Sequence, residues 1–150
     1  MIDIIITNYN RDTLIARAIN SVFNQSYQDI HLIIVDDCST DNSVKVIEDL
    51  LEHNTSKVKC TLVKNKINVG AGASRDIGIK FLKGKYMTFL DSDDYMMPGC
   101  LKRLLECAVK YDARIVRGDI IGTFENKQAF NRKKHCRKII KSDRKGNDAW

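Results

Sequence analysis

The sequence predicts an α/β fold: a three-layer, mostly parallel sheet with helices on both faces. Two observations carry this prediction. Short aliphatic runs alternate with segments of helical apolar spacing through most of the chain, the rhythm of strand–helix–strand crossovers. Polar, carboxylate-rich clusters follow the first, second and fourth of those runs. A parallel sheet gathers such clusters at the carboxyl ends of its strands, where ligands of open α/β sheets bind.

The elements follow in order. "IDIIIT" (2–7) has the continuous apolar character of a buried strand. Over residues 12–25, Leu14, Ile15, Ala18, Ile19, Val22 and Phe23 form one helical stripe. "IHLIIV" (30–35) is a second strand, and "DDCSTDNS", rich in N-capping residues, opens a helix burying Val44, Ile47, Leu50 and Leu51. "VKCTLV" (58–63) alternates like a third strand. "NVGAGASRDIGIKFLKG" passes from a glycine-containing loop into a helix, with Ala73, Ile77 and Phe81 on one face and Gly84 as its stop. "YMTFL" (86–90) is the fourth strand. Pro98, the only proline, marks the start of a helix carrying Leu101, Leu104, Leu105, Ala108 and Val109. "ARIVRG" (113–118) is expected as a fifth strand.

Composition narrows the function classes. A chain of 150 residues with 43% hydrophobic and 29% charged content can bury its own core. The aliphatic runs are strand-sized, far below the roughly 20 residues of a membrane span. The start "MIDIIITNYN" has no basic segment before its apolar run, so no secretory signal is expected. Five cysteines without CxxC spacing point to reduced thiols rather than a disulfide framework or zinc site. These features together predict a cytoplasmic protein. The net charge of +6 resides wholly in residues 131–150, a basic tail without interleaved aromatic residues; residues 1–130 are balanced. No nucleic-acid partner is expected from that pattern. Peripheral contact with anionic lipid at the inner face of the membrane is one reading of the tail, and a solvated segment is the other.

The stretch "YMTFLDSDDY" puts Asp91, Asp93 and Asp94 just past a strand. Like charges that close repel unless a cation joins them. Two carboxylates at i and i+2 suit Mg2+ or Mn2+, which take one or two protein carboxylates and complete the shell with phosphate oxygens and water. Asp36 and Asp37, at the end of the second strand, either accept hydrogen bonds from a nucleotide or cap the following helix. Arg75 follows a glycine loop that brings backbone N–H groups towards anionic oxygens. Tyr9 is placed to stack on a base.

Taken together, "IIITNYNR", "IIVDDCSTDNS", "NVGAGASRDIGI" and "YMTFLDSDDYMMPGCL" resemble the family 2 glycosyltransferases of the GT-A fold. The resemblance implies a Rossmann-like nucleotide-diphosphosugar-binding domain over residues 1–130. It also implies an inverting transfer, assisted by Mn2+ or Mg2+, from a donor such as a UDP-sugar to a hydroxyl acceptor. A place in cell-surface polysaccharide synthesis and a lipid-linked acceptor come with it. By position, Thr7 and Tyr9 resemble the base-pocket residues, and Asp37, with Asp36 beside it, the carboxylate that recognises uracil. Arg75 resembles the nucleotide-contacting arginine. Asp93 resembles the metal-contacting carboxylate and Asp91 a ribose or metal contact, with Asp94 assisting.

One departure matters. The family supplies a catalytic base well beyond the DxD pair, and here only Asp143 and Asp148 follow residue 125. Asp148 is a weak candidate for that role, so the base is unassigned. Residues 131–150 are then the start of an acceptor-side region that is otherwise missing, and self-association over exposed apolar surface is expected. Two other readings remain beside the transferase. One is a nucleotide-binding module without turnover. The other is a phosphotransferase of the haloacid-dehalogenase kind, disfavoured because its DxD follows the first strand rather than the fourth.

Overall fold

In the computed structural model, residues 1–118 and 120 are described. Four strands, β1 (Ile2–Asn8), β2 (Ile30–Asp36), β3 (Lys59–Lys64) and β4 (Tyr86–Asp91), alternate with α1 (Ile15–Phe23), α2 (Ser43–Glu52) and α3 (Gly70–Ile79), and α4 (Cys100–Lys110) follows. The strands form one parallel sheet in the order β3-β2-β1-β4. Met1–Gly99 make up one unit, and the described residues from Cys100 onward belong to a second. The expected domain boundary at residue 130, with the basic tail, lies outside the described residues.

Strand alternation explains the layers. Ile5, Ile33 and Val35 share one face with Val63, and Ile77 and Leu82 from α3 and its exit pack against them. Ile4, Ile6, Leu32 and Ile34 point the other way and are wholly buried. Right-handed crossovers carry α1 and α2 over that second face, because β1, β2 and β3 advance in one direction. The β3-to-β4 connection returns across the sheet, which sets α3 on the opposite face. The three-layer prediction holds.

Four local expectations are corrected. The fully buried residues of α3 are Ser74 and Gly78; of the expected face Ile77 does pack against the core, whereas Ala73 is exposed and Phe81, beyond the helix end, is 38% exposed. A Cβ at Gly78 would lie 2.7 Å from Ile5 Cγ2, so the glycine lets the helix backbone settle against the sheet. Gly84 is not the helix stop, since α3 ends at Ile79. It is needed for close approach: a Cβ there would sit 2.6 Å from the Met1 carbonyl oxygen. The run 113–118 joins no ladder. The Ala113 N–H instead donates to the Ala108 carbonyl, Asp112 takes φ 48°, and Ile115 is 63% exposed. Strand propensity without a paired edge does not make a strand. Val109, expected on the buried face of α4, is 70% exposed.

Candidate functional site

The carboxyl ends of β1, β2 and β4 and the start of α3 surround an open cavity of about 490 Å³. Thr7, Tyr9, Asp37, Arg75, Asp91 and Asp93 all line it. Six of the residues singled out from the sequence are thus brought together from four separate segments. Asp36 and Asp94 do not line it. Asp148, the basic tail and its residues 131–150 lie outside the described residues.

Two loops that hold each other build the rim. The Asn10 side-chain oxygen accepts from the Thr40 N–H at 2.8 Å, the Arg11 N–H donates to Ser43 Oγ at 3.0 Å, and the Asp12 N–H donates to Asp41 at 3.1 Å. Asn10 and Cys38 both carry positive φ, 50° and 64°. Asparagine tolerates that region readily; cysteine is held there by the surrounding bonds. "TNYNR" and "DDCSTDNS" therefore act as one rigid corner.

The adjacent aspartates divide the work between them. Asp36 is buried, and its two oxygens are taken by Asn8 Nδ2, Ser39 Oγ and the Ser39 N–H at 2.9, 2.6 and 2.9 Å. It braces the corner through these three bonds and, unlike Asp37, is not among the residues lining the cavity. Asp37 reaches the cavity and also holds α3. Its carboxylate accepts from Asn65 Nδ2 at 2.8 Å, the Val69 N–H at 2.9 Å and the Gly70 N–H at 2.7 Å. Burial pushes the Asp37 carboxyl up, but the bonds from Val69, Asn65 and Gly70 outweigh it and hold it below the usual carboxylate range. The capping anticipated for this pair is real, although the helix capped by Asp37 is α3, thirty-odd residues on, rather than α2.

The sequence DSD alternates in burial. Ser92 is 7% exposed, while the side chains of Asp91 and Asp93 are 54% and 52% exposed. Both carboxylates consequently face the cavity. Arg75 Nη2 donates to Asp91 Oδ1 at 2.7 Å, and its guanidinium lies 5.6 Å from the Phe89 ring centre. Arg11 Nε is 3.9 Å from Asp93 Oδ2. Arg17 Nη2 donates to the Asp93 carbonyl at 2.6 Å and its guanidinium stacks 4.9 Å from the centre of the Tyr95 ring. Asp94 only closes the turn, its N–H donating to the Asp91 carbonyl.

A divalent cation fits this donor set in part. Among the described residues no group of three or more His, Cys, Asp or Glu side chains is placed to hold a metal. The two exposed carboxylates supply hard oxygen donors at an open site, the arrangement in which substrate phosphates and water complete the shell. Sequence reasoning missed Arg11 and Asn68 in the lining. The signal for Arg11 was present in "TNYNR", a cation in a polar loop beyond a strand.

Among the described residues, no helix is long and apolar enough to cross a membrane. The sequence profile described as Glycosyl transferase family 2 matches residues 3–149. A glucosyltransferase of Escherichia coli, UDP-Glc:alpha-D-GlcNAc-diphosphoundecaprenol beta-1,3-glucosyltransferase WfaP, is 38% identical over 95 residues, 63% of this chain and 36% of that one. The chain is similar in structure to Staphylococcus aureus TarS in complex with UDP-GlcNAc, at TM-score 0.68 and 26% identity over 75% of this chain and 32% of that one. The mannosyltransferase PcManGT of Pyrobaculum calidifontis, in complex with GDP-Man and Mn2+, shares the fold at TM-score 0.65 and 22% identity, with 73% of this chain and 31% of that one covered. The chain spans 32% and 41% of the length of two further curated relatives.

Proposed function

For a chain that belongs to glycosyl transferase family 2, we propose that the cavity binds a nucleotide-diphosphosugar, a UDP-sugar by preference, together with Mn2+ or Mg2+. The single observation behind this reading is the convergence of Asp37, Arg75, Asp91 and Asp93 on one open cavity. Tyr9 and Thr7 border the base, and Asp37 stands beside them in the cavity wall. Arg75 and Arg11 are the cations available to the diphosphate. Asp91 and Asp93 would hold the metal. That ion, when bound, supplies charge stabilisation on the departing diphosphate. In the transfer itself, the acceptor oxygen bonds to the anomeric carbon as the bond from that carbon to the phosphate oxygen breaks. The bonding pair leaves with the nucleoside diphosphate, and the acceptor proton passes to a base. The names of the E. coli relative and the TarS complex support a UDP-sugar donor and a lipid-linked acceptor.

The three carboxylates lining the cavity already have other tasks, so none of them is free to take the acceptor proton. This favours a second reading, in which residues 1–118 and 120 bind the donor and turnover draws its base from elsewhere.

Thermal unfolding with UDP, with and without Mn2+, tests the proposal in the intact chain and in Asp93→Asn. At about a hundred times the dissociation constant a ligand of the folded state adds roughly 2.7 kcal/mol. For a chain of this size that raises Tm by roughly 5–10 °C. The rise should require both UDP and metal and vanish in Asp93→Asn. A cooperative melt indifferent to both ligands refutes the donor site. Release of sugar from the donor by the purified chain would rule out binding without turnover.

A further inference from the structure

Each carboxylate assigned to the cation already faces an arginine within the same cavity. Arg75 is bonded to Asp91 at 2.7 Å, and Arg11 stands 3.9 Å from Asp93. The cavity lining carries three carboxylates, Asp37, Asp91 and Asp93, against the two guanidinium groups of Arg11 and Arg75. Beyond these pairs Arg11 Nη1 donates to the adjacent Asn10 carbonyl at 3.1 Å and Arg75 lies 5.6 Å from the Phe89 ring centre. Their side chains are 37% and 48% exposed for Arg75 and Arg11. Exposed pairs of this kind are weak, about 0–1 kcal/mol, so a stronger partner can separate them.

We propose that Arg75 and Arg11 occupy the electrostatic place of the divalent cation in the ligand-free chain, and pass to the diphosphate when the cation arrives. This rests on the donor-site reading. The reasoning is one of charge. A dication arriving alone must displace two guanidinium groups and leave them unpaired beside it, with the cavity carrying excess positive charge. A nucleoside diphosphate arriving alone meets Asp91 and Asp93 as repelling neighbours. Arriving together, the cation takes the carboxylates and the phosphate oxygens take the arginines, for which the planar guanidinium is well shaped. Arg17 keeps the Asp93 loop in place through the exchange, because it is bonded to the Asp93 carbonyl rather than to the carboxylate. Arg75 and Arg11 are thus positioning residues that make cation and nucleotide binding interdependent, and linkage requires the dependence to be mutual.

The sign of one substitution separates this role from a plain phosphate contact. Mn2+ binding is followed by the electron paramagnetic resonance signal of the free ion, on the intact chain and on Arg75→Gln and Arg11→Gln, with and without UDP. Lys80→Gln, an exposed cation just beyond α3 and outside the cavity lining, controls for the loss of one positive charge. Without UDP, Arg75→Gln should bind Mn2+ about two- to fivefold more tightly than the wild type, as loss of a competing pair worth up to about 1 kcal/mol allows. Arg11→Gln should move in the same direction by less, its pair being longer. In both variants the factor by which UDP tightens Mn2+ binding should shrink, and Lys80→Gln should match the wild type. If the wild type shows a UDP effect but Arg75→Gln and Arg11→Gln bind Mn2+ alone no more tightly, the exchange is refuted while the donor site survives. Absence of any UDP effect in the folded wild type refutes the donor-site reading itself.

Discussion

Replacing Asp37 should destabilise the fold as well as the site, and the amount can be worked out from its contacts. One oxygen accepts from Asn65 Nδ2 and the Val69 N–H, the other from the Gly70 N–H, all within 2.7–2.9 Å. The residue is only 2% exposed, so its donors have little water to turn to. In Asp37→Asn the amide oxygen can keep the first two bonds, but its NH2 then opposes the Gly70 N–H. One charge-assisted bond is lost and a donor is left facing a donor, a loss of about 2–3 kcal/mol. Asp37→Ala strips all three donors and should cost about 3–5 kcal/mol, at one to three for each orphaned group with partial relaxation. Urea unfolding followed by far-UV circular dichroism measures both. With a slope of about 1–3 kcal/mol per molar, the Asn variant should unfold at a urea concentration lower by about 0.7–3 M. The pH dependence has a definite sign. A carboxyl lowered in the folded state gives stability that is fully present above its unfolded value of about 3.9 and is lost as pH falls through the lower folded value. The wild type should therefore lose stability on acidification below about pH 4 more steeply than Asp37→Asn. A midpoint that moves less than about 0.3 M, with an unchanged acid limb, would show that Asp37 does not anchor α3.

Two further outcomes follow from packing and burial. Gly78→Ala places a methyl 2.7 Å from Ile5 Cγ2; the overpacking cost of about 1–3 kcal/mol exceeds the gain of roughly 1 kcal/mol from helix propensity. Tm should fall, and a rise would mean that α3 shifts freely on the sheet. Burial pushes the Cys60 thiol up to about 11, so iodoacetamide at pH 8 should label it only on unfolding, as read by peptide mass. Rapid labelling of the folded chain would contradict that burial.

Much of the site was legible because its signals are local. Asp91 and Asp93 stand on either side of Ser92 where an apolar strand run gives way to a turn, so their place at the strand end is written in one short segment. The helix and strand positions of residues 2–110 follow from apolar spacing in the same way, to within a few residues at each end. Roles set by distant partners were not legible. Two adjacent aspartates, equivalent in the sequence, became a loop brace and an α3 anchor because Asn8 and Ser39 reach one while Val69 and Gly70 reach the other.

By itself, then, the sequence determined the alternating architecture and the rim at which its polar loops meet, since periodicity within one segment sets which side of it is buried. Only the tertiary structure decided that Gly78 and Gly84 serve close approach, that residues 113–118 form no strand, and that Arg11 faces Asp93. Each of these depends on atoms brought near by the packing of separate segments, and no spacing along the chain encodes that proximity.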